Sequence, residues 1–244
     1  CTMNKTEKLN GIVLRSTPYR ENGWILTLLT DVYGKIAVLA RGVRRNRKAS
    51  VLYAEPFAYS GYSVFFGRGL PVCDSAELIE PFYGVRASLD ALSLGQYFLA
   101  VASTLPENVP EPGVLRLLLN SLSLLSSARL SPERIKLVYE VRFSQLSGFA
   151  PEGYSCSECG KPATRFCPGK GLLCDACAGT EGFTVTENEQ KILNHILRYD
   201  GADSYRFRAT GDEVRYLSQL MQTNLSHELA MPFPQLSFYG KYNL

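Results

Sequence analysis

Histidine is nearly missing from this chain, with His195 and His227 the only two in 244 residues. His195 stands beside Ile192 and Ile196 on an amphipathic stretch, where a structural role is expected. Other catalytic signatures are also absent. None of the pairs Gly34-Lys35, Gly160-Lys161, Gly169-Lys170 and Gly240-Lys241 completes a Walker A pattern, which removes the usual phosphate-cradling route to ATP hydrolysis. No His-x-Glu accompanies a Pro-Cys-x-x-Cys, as a zinc deaminase would need. There is no Gly-x-Ser-x-Gly elbow and no acidic cluster suited to a two-metal nuclease. The expectation is a protein without an active site.

Long apolar runs are lacking too. The longest uncharged stretch, between Asp90 and Glu107, has sixteen residues and includes Ser93, Gly95, Gln96, Ser103 and Thr104. It is too short and too polar to span a membrane. Residues 1–8 lack the apolar core of a signal peptide, so a reducing compartment is expected. A natural start at Met3, after Cys1 and Thr2, is the corresponding reading of that end. No internal repeat or low-complexity linker is evident. An apolar share of 45% and a charged share of 20% fit an ordinary globular protein with a sizeable core.

Against these absences, Cys156, Cys159, Cys174 and Cys177 form two Cys-x-x-Cys pairs separated by fourteen residues. Such spacing lets two thiolate turns close on one tetrahedral zinc ion. Gly160 follows the first pair, and Ala178 and Gly179 the second, which frees backbone amides to serve the sulfurs. Four thiolates with no water position read as a structural site. Disulfides and a redox pair fit less well, because the total of seven cysteines is odd and no oxidising compartment is indicated. Cys167 lies between the pairs but precedes Pro168 and has no partner at the same spacing, so it is not expected to be a ligand. Cys73 reads as a small apolar filler.

Charge is unevenly distributed. Residues 1–82 hold eleven Lys and Arg against seven Asp and Glu, a surplus of four, whereas the remaining 162 hold fifteen against sixteen. Most of the surplus is one cluster, Arg41, Arg44, Arg45, Arg47 and Lys48, with no acid between Asp31 and Glu55. That density favours contact with a polyanion. A solvated, self-repelling loop is the other reading.

The same third of the chain contains short β-rich runs at Leu9 to Arg15, Trp24 to Thr30, Lys35 to Ala40 and Phe57 to Phe66, with a weaker one after Pro71. Pro18, Asn22-Gly23, Tyr33-Gly34 and Gly67-Arg68-Gly69 punctuate them. Five such strands suggest a small closed barrel of the OB type, because closure removes exposed edges. Tyr19, Trp24, Tyr33, Tyr53, Tyr59 and Tyr62 are candidate stacking platforms, about half of them expected in the core.

From Arg86 the period changes to 3.6. Leu94, Phe98, Val101, Ala102 and Leu105 form one stripe, and Val114, Leu117, Leu118, Leu122 and Leu125 a second. Ser131 and Pro132 open a helix with Ile135, Val138, Tyr139, Phe143 and Leu146, ended by Gly148. After the cysteines, Thr186 to Glu189 is a capping box before Ile192, Leu193, Ile196 and Leu197. Val214, Leu217, Leu220, Met221 and Leu225 mark the last helix. The expected fold is α+β and multidomain: an OB-type β-barrel at 1–82, an α-helical bundle at 83–152 and 180–244, and an inserted four-cysteine zinc ribbon at 153–179.

This order of elements, with the segments GIVLRSTPYRENGWILTLLTDVYGK, ARGVRRNRKAS followed by YAEPF, QLSGFAPE, CSECG and GLLCDAC, resembles the bacterial RecO family of recombination mediators over nearly the whole chain. The resemblance implies a non-enzymatic, cytoplasmic DNA-binding protein of recombinational repair. Such a protein binds single- and double-stranded DNA, anneals complementary strands, engages the tail of the single-strand-binding protein SSB and the partner RecR, and helps load RecA. RecF is a further candidate partner, and no membrane partner is implied. Arg41, Arg44, Arg45, Arg47 and Lys48 become the expected phosphate contacts, with Lys35, Arg15 and Arg68 as weaker additions. For the SSB tail, Arg116, Arg134, Lys136 and Arg142 are available cations on helices, none singled out by a motif.

Two other functions remain open on the residues alone. An RNA-binding translation or ribosome-associated factor also uses barrels and zinc ribbons; comparing DNA with RNA strands of equal length separates it. A protein-interaction scaffold, with its arginines on acidic partners, would bind DNA weakly and an acidic tail tightly.

Overall fold

The computed structural model describes residues 5–21, 23–41, 52–237 and 239. Strands come first and helices later, a mixed α+β architecture. Two compact units are formed, one holding the described residues up to Ser126 and the other running from Ser127 to Ser237.

In the first unit, β1 (Lys5–Tyr19), β2 (Gly23–Thr30), β3 (Gly34–Arg41), β4 (Tyr59–Phe66) and β5 (Val72–Glu80) close in the order β1-β2-β3-β5-β4. All neighbours are antiparallel except β3 and β5, which run parallel at Leu39–Val72 and Ala40–Cys73. Closure depends on β1. Its first part, from Lys5 to Ile12, pairs with β4, and its later part, from Gly11 to Tyr19, with β2. A register shift between Val13 and Arg15 turns the strand from one partner to the other. The apolar run Leu9 to Arg15 is therefore only the middle of a longer strand. Pro18 sits within it opposite Trp24, where β1 is paired on one side alone and a missing N–H is tolerated.

Alternation fills the barrel. Leu9, Val13, Leu26, Leu28, Val38 and Val64 are buried together, and the Tyr62 hydroxyl donates to the Tyr53 carbonyl at 2.7 Å. Phe57 does not begin β4 as its sequence suggests. Its φ of 75° breaks the extended backbone, and its ring turns toward Gly95, with the Arg86 guanidinium 5.3 Å from the ring centre.

Helices α1 (Leu89–Ala102) and α2 (Pro112–Ser127) complete this unit. The Ser88 hydroxyl caps α1 by accepting from the Ala91 amide. The expected stripes are buried, Leu117 being only half-covered. The connection between the two helices is fixed to the β2–β3 turn. Lys35 Nζ donates to the Ser103 carbonyl at 2.7 Å, and the Asn108 amide to the Lys35 carbonyl at 2.9 Å. Grouping α1 and α2 with the barrel cuts across the single bundle expected from periodicity.

The second unit is built around α3 (Pro132–Leu146), capped by Ser131 and followed by Gly148 at φ 83°. Residues Ile135 to Val141 are buried without interruption, so α3 is enclosed on every side. Leu146, at its end, is 38% exposed. Helices α5 (Glu187–Arg198) and α6 (Gly211–Glu228) both begin with capping boxes, at Thr186–Glu189 and Thr210–Glu213. Between α3 and α5 lie β6 (Arg165–Cys167), β7 (Gly171–Leu173), the single turn α4 (Asp175–Ala178) and β8 (Phe183–Thr184), with the strands in the order β7-β6-β8. This small sheet runs past residue 179 through β8. Side chains of α5 and α6 hold it: Gln190 donates to the Ala163 carbonyl at 2.9 Å, Asn194 to the Gly153 carbonyl at 2.8 Å, and the Tyr216 hydroxyl to the Thr184 carbonyl at 2.6 Å.

Candidate nucleic-acid interface and metal centre

The β6–β7 hairpin and α4 bring the two Cys-x-x-Cys pairs together. The sulfur atoms of Cys156, Cys159, Cys174 and Cys177 all lie within 4.8 Å of one another, with Cys159 and Cys174 3.6 Å apart. This is a candidate metal centre. Each pair sits on a tight turn: the Gly160 amide donates to the Cys156 carbonyl and the Ala178 amide to the Cys174 carbonyl, both at 2.9 Å. Gly160 and Gly179 adopt φ of 73° and 61°, a region that other residues enter at a cost.

Backbone amides prepare two of the sulfurs. Burial pushes the Cys156 thiol up, but the N–H groups of Cys174, Cys159 and Glu158 more than offset it and leave the thiol at about 6. The Cys177 N–H lowers Cys174. Hydrogen bonding with the sulfurs of Cys159, Cys174 and Cys156 raises Cys177.

Cys167 is in β6 and buried, outside the group of four, and burial pushes its thiol up. Cys73 is half-buried against the barrel core, with its thiol pushed up to about 11 by burial. It stays protonated, in keeping with an apolar filler.

On the barrel, register places three rows of side chains across the outside of β1, β2 and β3. Tyr19, Gly23 and Arg41 form one row, Thr17, Ile25 and Leu39 the next, and Arg15, Thr27 and Ala37 the third. The intervening residues Leu26, Leu28, Ile36, Val38 and Ala40 point into the core. Arg15 and Arg41 are exposed at opposite corners of this face, and no carboxylate stands in the three rows. Beyond Tyr19, the Arg20 guanidinium lies 5.1 Å from the Tyr19 ring centre. The β5 strand, by contrast, carries exposed Asp74, Glu77 and Glu80. Thr17, Ile25, Leu39 and Arg20 did not stand out in the sequence; only the hairpin register brings them to the basic corners.

The other expected contacts are placed as follows. Arg44, Arg45, Arg47 and Lys48 lie outside the described residues. Arg68 is exposed in the β4–β5 turn, and Lys35 is half-buried with its ammonium on the Ser103 carbonyl, so it is drawn away from the surface. Among the candidate stacking rings, Tyr62 is core, and Tyr33 is tied to Phe66 at 4.9 Å and to the Glu7 carboxylate. Tyr19 remains on the outer face.

Of the helical cations, Arg116 is exposed. Lys136 is buried, 2.7 Å from Glu140 and 2.8 Å from the Ser218 hydroxyl, and so presents nothing to a partner's tail. Arg134 donates to the Tyr205 and Phe207 carbonyls, and Arg142 to the Leu197 carbonyl and to Asp200. Both are largely committed within the unit. Among the described residues no helix is long and apolar enough to cross a membrane.

Comparison with known proteins finds matches along nearly the whole chain. Residues 3–82 match the family model described as Recombination protein O N terminal, and residues 86–237 the model described as Recombination protein O C terminal. A protein named DNA repair protein RecO from Desulforudis audaxviator is 36% identical over 259 aligned positions, covering 98% of each chain. Proteins of the same name from Streptomyces griseus and Acetivibrio thermocellus are 30% and 29% identical, covering 95% of this chain and 98% and 95% of their own. With its β-barrel and helical segments each matched in order, the chain belongs to the RecO family of DNA repair and recombination proteins.

Proposed function

We propose that this protein is a non-enzymatic recombination mediator that holds DNA strands on the outer β1–β2–β3 face of an OB-type barrel. The observation that carries the reading is the register of that face: Arg15 and Arg41 at its corners, Tyr19 at its rim, small or apolar residues between, and the Arg-rich segment following directly from β3. Cations hold phosphates, a ring stacks on a base, and the flat centre lets a strand pass. Phosphate contact is indifferent to sequence, as a protein that joins any complementary strands requires. The strand order and the parallel β3–β5 pair support the OB assignment.

Annealing on such a surface forms no covalent bond. Neutralised phosphates reduce strand repulsion and base pairing supplies the driving force. Zinc is the ion that suits the cysteine centre: four thiolates at bonds of about 2.3 Å place sulfurs roughly 3.8 Å apart, close to the spacing found here. Cys156, Cys159, Cys174 and Cys177 would hold it, and its contribution is to fix the ribbon. Membership of the family extends the reading to SSB, RecR and RecF as partners, to RecA as the protein whose loading is assisted, and to the bacterial cytoplasm as the setting.

The test is single-stranded DNA affinity against salt, with strand annealing, for the native chain and for Arg15, Arg41, Arg44, Arg45, Arg47 and Lys48 changed to Gln. Losing five or six phosphate contacts should flatten the slope of log K on log salt by about 3 to 4. An unchanged slope and annealing rate would remove this face from DNA handling. Tighter binding of RNA than of DNA of equal length would favour the translation-factor reading.

A further inference from the structure

Helix α5 ends at Arg198, where rings and guanidinium groups alternate across one end of the second unit. The Arg198 guanidinium lies 6.0 Å from the Tyr199 ring centre, and the Tyr199 and His195 rings are 4.6 Å apart. His195 and Phe207 meet edge-on at 6.1 Å, and Arg134 stands 4.2 Å over Phe207. The inner rungs are fixed. Phe207 is buried, Arg134 donates to two carbonyls, and His195 Nε2 is 2.9 Å from the Asp203 carbonyl. At the outer end Arg198 is exposed and Tyr199 is 42% exposed.

Basic residues are frequent in the segments that supply these rings, Arg208 being exposed next to Phe207 in the chain. Arg134, Arg142, Arg198, Arg206 and Arg208 are met by two carboxylates, Asp200 and Asp203, already bridged to Arg142 and Arg206. With Glu152 of the groove beside Arg198 also counted, the local surplus is two, although residues 83–244 as a whole carry one more acid than base. Arg198 and Arg208 have no ion-pair partner among the described residues. Arg198 also borders an open groove of about 510 Å³ with Asn194, the 47%-exposed Tyr154 and one carboxylate, Glu152.

We propose that this end of the helical unit is a second binding site for single-stranded nucleic acid, with a base stacked on Tyr199 and flanking phosphates held by Arg198 and Arg208. The inference rests on the DNA-binding reading given above and adds a site to it. An acidic peptide could use the cations, but an exposed ring held in place by a fixed rung behind it is what base stacking rewards. Because the ring is already braced, little side-chain freedom is lost on contact. A chain with strand sites on both units holds two strands without needing a second copy.

The experiment uses the full chain and a labelled oligothymidylate, read for stoichiometry and affinity. The native chain should take two strands. Tyr199→Ala should weaken the second by about tenfold, as loss of one stacking contact implies, while Tyr199→Phe keeps it. Arg198→Gln with Arg208→Gln should reduce the salt slope of that site by about 1.4. Photocross-linking of a halogenated strand should label Tyr199. Two strands bound equally well by native and Tyr199→Ala proteins would overturn the proposal. So would one strand only, lost entirely with Arg15→Gln and Arg41→Gln. Strand binding that survives those barrel changes but depends on Tyr199 would sink the barrel reading and leave this site standing. Loss of acidic-peptide binding alone in Tyr199→Ala would also overturn it, in favour of a peptide site.

Discussion

Lys136 and Glu140 face each other one turn apart on α3, with Nζ and Oε1 2.7 Å apart and both side chains almost wholly enclosed. Lys136 also donates to the Ser218 hydroxyl and carbonyl, which ties α3 to α6 through a buried charged pair. Removing one partner leaves the other charge buried, at a cost of about 3–5 kcal/mol. Replacing both by apolar residues of similar volume avoids that cost. Lys136→Met should therefore lower stability by several kcal/mol in urea unfolding, and Lys136→Met with Glu140→Leu should recover most of it. If the double change is as damaging as the single one, the pair matters for specificity of the helix contact rather than for charge balance.

Gly34 follows the β2–β3 turn at φ 65°, and a Cβ there would stand 1.8 Å from the Val109 carbonyl oxygen. Both the backbone conformation and the close approach require glycine. Gly34→Ala should destabilise the protein by more than about 2 kcal/mol, since strain and displacement of the α1–α2 connection add. Thermal unfolding measures the loss. Hydrogen exchange should show the Asn108 amide, bonded to the Lys35 carbonyl, newly unprotected.

Elements whose signal is local were legible in the sequence: the capping box at Thr186, the N-cap at Ser131, the apolar stripe of α1 and the cysteine spacing. Elements decided by tertiary pairing were not. The length of β1 follows from its two partners, the departure of Phe57 from β4 from a positive φ, and the commitment of Lys35 and Lys136 to internal acceptors from neighbours far along the chain. On the barrel, basic residues could be recognised in the sequence, but the shared face of Arg15, Tyr19 and Arg41 needed the hairpin register. The second capping box, at Thr210 and Glu213, had the same Thr-x-x-Glu pattern as the first and was readable in the same way.

That second box makes a pH prediction. The Thr210 amide donates to the Glu213 carboxylate at 2.7 Å, Asn188 adds a further bond, and together they hold its pKa below the usual carboxylate value. A lowered folded pKa contributes stability that is present above about pH 4.3 and lost as pH falls through the folded value. Amides in the first turn of α6 should exchange faster below that range, and Glu213→Gln should remove most of this pH dependence. Thr210→Ala should cost about 1 kcal/mol at neutral pH. An unchanged exchange profile for Glu213→Gln would assign the acid sensitivity to another carboxylate.

The cysteine centre and the base of its ribbon should separate on mutation. The four sulfurs hold the β6–β7 and α4 portion, whereas Gly153, Ala163 and Thr184 are bonded to Asn194, Gln190 and Tyr216 on α5 and α6. Cys174→Ser removes one ligand and leaves those bonds in place. The variant should fail to take up the one equivalent of metal expected of the native chain and gain fast exchange from residue 156 to 178, while the Gly153 amide, bonded to the Asn194 side chain, stays protected. Cys167→Ser, outside the group of four, should keep full metal content. The barrel face contains none of these residues, so strand affinity should stay within about twofold of native, a change smaller than one phosphate contact produces. Elemental analysis and native mass spectrometry read the metal; retention of one equivalent by Cys174→Ser would mean the ion is held by another ligand set.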